Sequence, residues 1–339
     1  MLAGIENSEI AENNANRKGT IMKFTKMHGI GNNYIYINCF EEKLTHEEMS
    51  IISEKVADKN FGIGADGAIF ICPSDEEGVD GEMRMYNADG SYGKMCGNGI
   101  RCVAKYMYDH AIVDKTELCI VSAGAKKYLT LYVSKEKAGV DAKGACGIDT
   151  GKSYSKRADG MVVDAVRVDM GEPIFAKEEI PVIADDTKMV DITTPAGKSD
   201  KACLMYPYTV DGKEYKGTFV SVGNPHSVIF VDEVDNLDLE KIGPAFENSE
   251  IFPERVNTEF VKVIDRKNVK MRVYERGSGE TLACGTGGTA VAVACILNGF
   301  TDNEVTVHLL GGDLKYEWDE KTNHMIMTGP ASYICEGEL

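Results

Sequence analysis

"MRMYNADGSYGKMCGNG" (residues 83–99) and "MRVYERGSGETLACGTG" (residues 271–287) each spell Met-Arg-x-Tyr, a nine-residue spacer and Cys-Gly-x-Gly. Six identical residues fall at identical offsets: Met83 and Met271, Arg84 and Arg272, Tyr86 and Tyr274, Cys96 and Cys284, Gly97 and Gly285, Gly99 and Gly287. Chance supplies a shared Cys-Gly easily, but six matches in register without a gap point to a duplicated unit. Each copy reads as strand, loop, cysteine and helix. The helices run through "NGIRCVAKYMYDHAIV" and "GTGGTAVAVACILNG", the second stopped by a terminal glycine.

The flanking sequence fits the same plan. "MKFTKMHGIGNNYIYINCF" reads as two strands around a loop at His28 to Asn33, and "THEEMSIISEKVADKN" as a helix capped by Thr45. "FVSVGNPHSVIFVD" is a strand, a Gly-Asn-Pro turn and a strand, and "NTEFVKVID" with "VKMRVYERG" forms a hairpin. Residues 136–160, rich in Gly, Lys and Asp, read as a linker or insertion. Each half is therefore strand-rich with one long helix, a pattern that suggests a sheet wrapped around a central helix.

A chain of 339 residues suits two domains, and 37 basic against 54 acidic residues give a net charge of −17. That balance argues against nucleic acid or an anionic membrane as partner, though not against a small anion held by local donors. No apolar run approaches the ~18 residues needed to span a bilayer. The polar opening, "MLAGIENSEIAENNANRKGT", lacks the pattern of a signal or transit peptide, so residues 1–21 read as a disordered extension and the protein as cytoplasmic. The ten cysteines are irregularly spaced without a C-x-x-C pair, so zinc spacing is absent, and the lack of an export signal argues against a disulfide framework. Cys39, Cys119 and Cys295 sit in apolar runs and read as small core residues.

Cys96 and Cys284 differ, because each opens a Gly-rich turn at a helix start. The first helical turn offers unpaired N–H groups and the positive end of the dipole, where a carboxylate binds well and a thiol ionises more readily. Two such helices pointing at one another would hold a small acid between them with one sulfur on each face of its α-carbon. One thiolate would take the α-proton while the opposite thiol returned one, inverting the centre. The backbone amides could steady the charge that develops on the carboxylate, with no metal or pyridoxal required. A phosphate-cradling loop would need G-x-x-x-x-G-K-[ST], which neither copy has, and a cysteine hydrolase would have no use for the second copy.

The motifs "MKFTKMHGIGNNY", "FGIGADG", "NADGSYGKMCGNGIRC", "VSVGNPH", "NTEF" and "YERGSGETLACGTG" closely resemble diaminopimelate epimerase, in family order and across nearly the whole chain. The resemblance implies a pyridoxal-independent isomerase, using no cofactor and no metal, that interconverts LL- and meso-2,6-diaminopimelate for lysine and peptidoglycan synthesis. The implied fold is α/β (α+β): two pseudo-symmetric domains, each a sheet around a central helix, with the active site in the cleft. The domains would span 22–145 and 146–326, the first completed by a final strand at about 327–339. The resemblance makes Cys96 and Cys284 the acid/base pair, with Gly97, Asn98, Gly285 and Thr286 on the reacting carboxylate. Asn32, Asn87, Asn224, Asn257 and Arg276 match positions that bind the distal end, while Glu275, suited to an ammonium, and His226, suited to orient or tune a thiol, match polar neighbours of the site. A homodimer is implied by analogy. Departures are the less acidic "SYGKM", Asn33 where Asp is common, Thr289 where many members have Cys, and longer stretches at 136–160 and 201–217. The rival reading is a related racemase or epimerase of the proline or hydroxyproline type.

Overall fold

The computed structural model describes residues 21–93, 95–135 and 154–339. The expected extension up to residue 20 and the part of the expected linker over 136–153 lie outside them. Among the described residues there are four α-helices: α1 (His46–Ala57), α2 (Gly97–Asp109), α3 (Leu239–Glu247) and α4 (Gly285–Leu297). None is long and apolar enough to cross a membrane.

The duplication seen in the sequence recurs in the strand pairing. In the first half, Lys23–Gly29 lies antiparallel to Asn32–Asn38, which runs parallel to Gly67–Cys72. That strand pairs antiparallel with Gly81–Asn87, which runs parallel to Glu117–Ser122, followed by antiparallel Ala125–Lys135 and Met161–Gly171. In the second half Lys213–Ser221, Pro225–Phe230, Asn257–Asp265, Asn268–Glu275, Glu304–Leu309, Gly312–Trp318 and Met325–Gly329 repeat the same succession of senses. Met325–Gly329 also pairs with Met161–Gly171, which among the described residues joins the halves into one 18-stranded sheet. The last strand, Ser332–Glu338, returns to Lys23–Gly29. The fold is a two-domain α+β arrangement, mostly sheet.

Each half buries both faces of its sheet. In Asn32–Asn38, Tyr34 and Tyr36 point into the large core that surrounds α2 and α4, while Ile35 and Ile37 point into a smaller core under α1. Phe246, Val256 and Phe260 form the corresponding layer under α3. α2 is buried along its entire length, charged residues included. Its Lys105 and Asp109 form a buried ion pair at 2.9 Å, completed by the Val163 backbone and the Tyr333 hydroxyl.

The structure departs from the sequence reading at three places. α3 was not expected: Pro244 lies inside it and masks its helical signal, but Asp238 caps its start and Asn248 donates back to the Pro244 carbonyl. α2 ends at Asp109 rather than running to Val113, because Ala111 takes a left-handed φ of 55°. Ile112 then donates to Met107 O, as Phe300 donates to Cys295 O beyond Gly299 in the repeat. The loop expected over His28 to Asn33 is a two-residue turn, Ile30–Gly31, with both φ positive.

Candidate active site

The capping cysteines superpose in backbone conformation. Cys96 has φ −127° and ψ 109°, and Cys284 has φ −126° and ψ 107°. Each sulfur accepts the N–H three residues on, from Gly99 and from Gly287, at 3.3 Å in both halves. The glycines between permit close approach. A Cβ placed on Gly285 would lie 3.5 Å from Gly97 Cα, so the two helix N-termini abut. Asn98 ties them, its Nδ2 donating to Ala283 O at 3.1 Å.

A cavity of about 770 Å³ opens at this junction. It is lined by both cysteines and, from the residues singled out in the sequence, by Asn32, Asn87, Gly97, Asn98, Asn224, Glu275, Gly285 and Thr286. Asn32 and Asn224 come from equivalent turns, Asn87 and Glu275 from the ends of equivalent strands. The Cys96 thiol donates to Asn32 Oδ1 at 3.3 Å, whereas the Cys284 thiol donates to Glu275 Oε2 at 3.3 Å, beside Thr286 Oγ1 at 3.5 Å.

Three expected residues stand behind the lining. His226 is fully buried, its Nε2 3.0 Å from Asn224 Oδ1 and its Nδ1 2.7 Å from the carboxylate of Glu259. Asn257 is buried, with Nδ2 donating to Pro225 O and Oδ1 accepting from the Arg276 amide. The Arg276 guanidinium donates to Glu254 O at 3.0 Å and does not line the cavity.

Other residues of the site were not singled out in the sequence. Asp66 accepts from the Asn32 side chain and from the amide and side chain of Asn33, which turns the Asn32 carbonyl toward Cys96. Thr281 donates its hydroxyl to Glu275 Oε1. Asp66 and Glu259 lay inside the quoted motifs "FGIGADG" and "NTEF", so attention to every acid in those motifs would have found them.

Electrostatically the two sulfurs differ. Burial pushes both thiols up, countered in each by backbone N–H donors of the helix start. Cys284 is pushed well above the usual thiol range, because Glu275 and Glu259 add their negative charge to the cost of burial. Glu275 itself is raised by burial. Among the described residues no group of three His, Cys, Asp or Glu side chains is arranged to hold a metal. The arrangement can do acid/base chemistry from two sides of one small ligand.

The family model for diaminopimelate epimerase matches residues 24–146 and 218–334. The span it leaves out includes strands Val190–Thr193, Ser199–Ala202 and Tyr206–Val210. The diaminopimelate epimerase of Agathobacter rectalis is 50% identical over 318 residues, covering 94% of this chain and 99% of its own. That of Acetivibrio thermocellus is 48% identical, covering 94% of this chain and 98% of its own. A PhzF-family phenazine biosynthesis protein of Bacillus anthracis shares the fold at a TM-score of 0.58 with 14% identity, covering 94% of this chain and 99% of that one.

Proposed function

The chain belongs to the diaminopimelate epimerase family, and we propose that it inverts one α-carbon of LL-2,6-diaminopimelate to give the meso form, using Cys96 and Cys284 as the two bases. One observation carries this reading: both cysteines cap equivalent helices, with the same backbone angles, on one cavity. The enzyme is an isomerase. The substrate carboxylate would lie between the helix starts, accepting from the amides near Gly97, Asn98, Gly285 and Thr286, where the N–H groups and dipoles of both helices converge. The α-carbon then faces one sulfur on each side. As one thiolate removes the proton, the helix amides stabilise the charge gathering on the carboxylate, and the opposite thiol delivers its proton to the other face.

Asn32, Asn87, Asn224 and Glu275 are the proposed distal contacts, with Glu275 suited to an ammonium. Asn257 and His226 act by holding the Arg276 amide and Asn224. Arg276 would have to leave Glu254 O to reach a carboxylate, for which its forked donors are well shaped. The product would serve lysine and peptidoglycan synthesis in the cytoplasm, the two domains would divide after Met161–Gly171, which closes the sheet of the first half, rather than near residue 145, and the protein would work as a homodimer.

The proline-type alternative is separated by substrate. In deuterated water the enzyme should exchange α-hydrogen into diaminopimelate and not into proline. Exchange into proline alone would move the assignment to that branch.

A further inference from the structure

Diaminopimelate brings two carboxylates and two ammonium groups, and the amides at the helix starts account for one carboxylate only. The cavity walls have to meet the other charges. Three acids line the cavity, Asp66, Glu275 and Glu280. Asp66 is held by Asn32 and Asn33, and Glu280 is gripped by Arg272 through two bonds of 2.6 and 2.8 Å. Glu275, with Thr281 and Cys284 on its oxygens, is left for an ammonium. The Arg276 guanidinium is bonded to Glu254 O, outside the lining. Among the described residues that line the cavity, Lys59 alone is a cation.

Lys59 stands just past the C-terminus of α1, on a loop whose backbone is pinned. Asp58 accepts the amides of Asn60 and Phe61 at 2.7 and 2.8 Å, and Ile63 and Gly64 both donate to Val56 O at 3.0 Å. Gly62 has no room for a Cβ, which would lie 2.2 Å from Lys55 O. The lysine stem passes over Gly64, where an added Cβ would come 3.3 Å from its Cα and 3.6 Å from its Cγ. The next two residues, Ala65 and Asp66, line the cavity with it. The base of the side chain is therefore fixed at the cavity wall. Lys59 itself is exposed, and among the described residues its ammonium enters no hydrogen bond or ion pair. A lysine at a helix C-terminus also suits the dipole, but that role does not require it to line the cavity. The repeat gives a reason for its place. By register Arg276 falls on Ala88, so the first half has no cation just beyond its equivalent strand, and Ala88 lines the cavity alongside Lys59.

We propose that Lys59 binds the second carboxylate of the substrate, the one that the helix starts do not hold, and so selects a diacid over an amino acid with a single carboxylate. The proposal rests on reading this cavity as the epimerase site. Lys59 offers a point charge on a flexible stem, available while Arg276 is still bonded to Glu254 O. The second carboxylate gains no charge as the α-carbon inverts, so its contact with Lys59 is the same in the ground state and the transition state. Such a contact strengthens binding and leaves the barrier alone.

Steady-state epimerisation of LL-diaminopimelate by the full-length wild type, Lys59→Met and Lys59→Arg tests this. Lys59→Met should raise KM about fivefold to tenfold, with a much smaller change in kcat. Lys59→Arg keeps the charge and should stay within about twofold of the wild-type KM. Added salt should raise KM more steeply in the wild type than in Lys59→Met. Inhibition by L-lysine, the same skeleton without the second carboxylate, should be equal in the wild type and Lys59→Met. The side chain lies outside the core, so the variants keep the fold, and an unchanged melting temperature checks this. The proposal is overturned if Lys59→Met keeps the wild-type KM, which would leave Lys59 serving only the α1 dipole. It is also overturned if the loss falls on kcat, or if L-lysine weakens by the same factor as diaminopimelate. Failure of the epimerase reading would show separately, as a wild type that does not epimerise diaminopimelate at all.

Discussion

Asn98 and Ala283 meet across the pseudo-symmetry: the side-chain amide at the start of α2 donates at 3.1 Å to the carbonyl just before the cysteine that caps α4. This bond ties the two helix starts to one another directly, side chain to backbone. It also holds a backbone acceptor that would otherwise be buried and empty.

Asn98→Ala should therefore cost both structure and chemistry. Leaving Ala283 O unpaired destabilises by about 1–3 kcal/mol, visible as a lower thermal midpoint. The loosened junction should lower kcat more than it raises KM. An unchanged kcat in a folded Asn98→Ala protein would mean that the helices keep their spacing by other means.

Equivalent glycines should not respond equally. A Cβ on Gly99 would press on the flexible end of Ile69, 2.6 Å away, and stay 3.5 Å from Cys96 Sγ. On Gly287 it would lie 2.8 Å from Glu259 Oε1 and 3.1 Å from Cys284 Sγ, against a buried carboxylate and the sulfur itself. Gly287→Ala should lose at least tenfold more kcat than Gly99→Ala, a difference of about 1.4 kcal/mol in barrier. Equal losses in steady-state assays would contradict the asymmetry of the two halves.

His110 supplies a pH dependence of stability away from the site. It stacks on Tyr106 with centroids 3.8 Å apart, and burial pushes its imidazole down to about 4. Below the ordinary histidine range the unfolded chain takes up a proton that the native chain refuses. Its contribution is therefore present above about pH 6.5 and is lost progressively as pH falls toward 4. His110→Phe should flatten the decline in denaturation midpoint over that window relative to the wild type. Parallel curves for the two proteins would show that His110 titrates freely in the native state.

Much of this was legible because the repeat is written at a constant offset, 284 − 96 = 188, which also maps Ala111 onto Gly299 and Arg101 onto Thr289. The central helices, the capping cysteines and eight of the lining residues followed from it and from the family motifs. α3 was hidden because helix propensity counts Pro244 against it, while packing of Phe246 beneath the sheet decides the matter. The length of α2 turned on one left-handed residue, Ala111, a backbone state that alanine does not advertise. Glu259 is not legible as a site residue, because an acid in a strand ordinarily faces water; folding places it under Gly287 with His226 as its partner.

The most direct test of the central claim follows α-hydrogen exchange and epimerisation of diaminopimelate in deuterated water for the wild type, Cys96→Ala and Cys284→Ala. The account predicts that the wild type interconverts the LL and meso forms with solvent deuterium entering at the inverted carbon, and that each single variant fails to epimerise while remaining folded. Either variant epimerising at the wild-type rate would show that one sulfur suffices, and the two-base reading would be wrong.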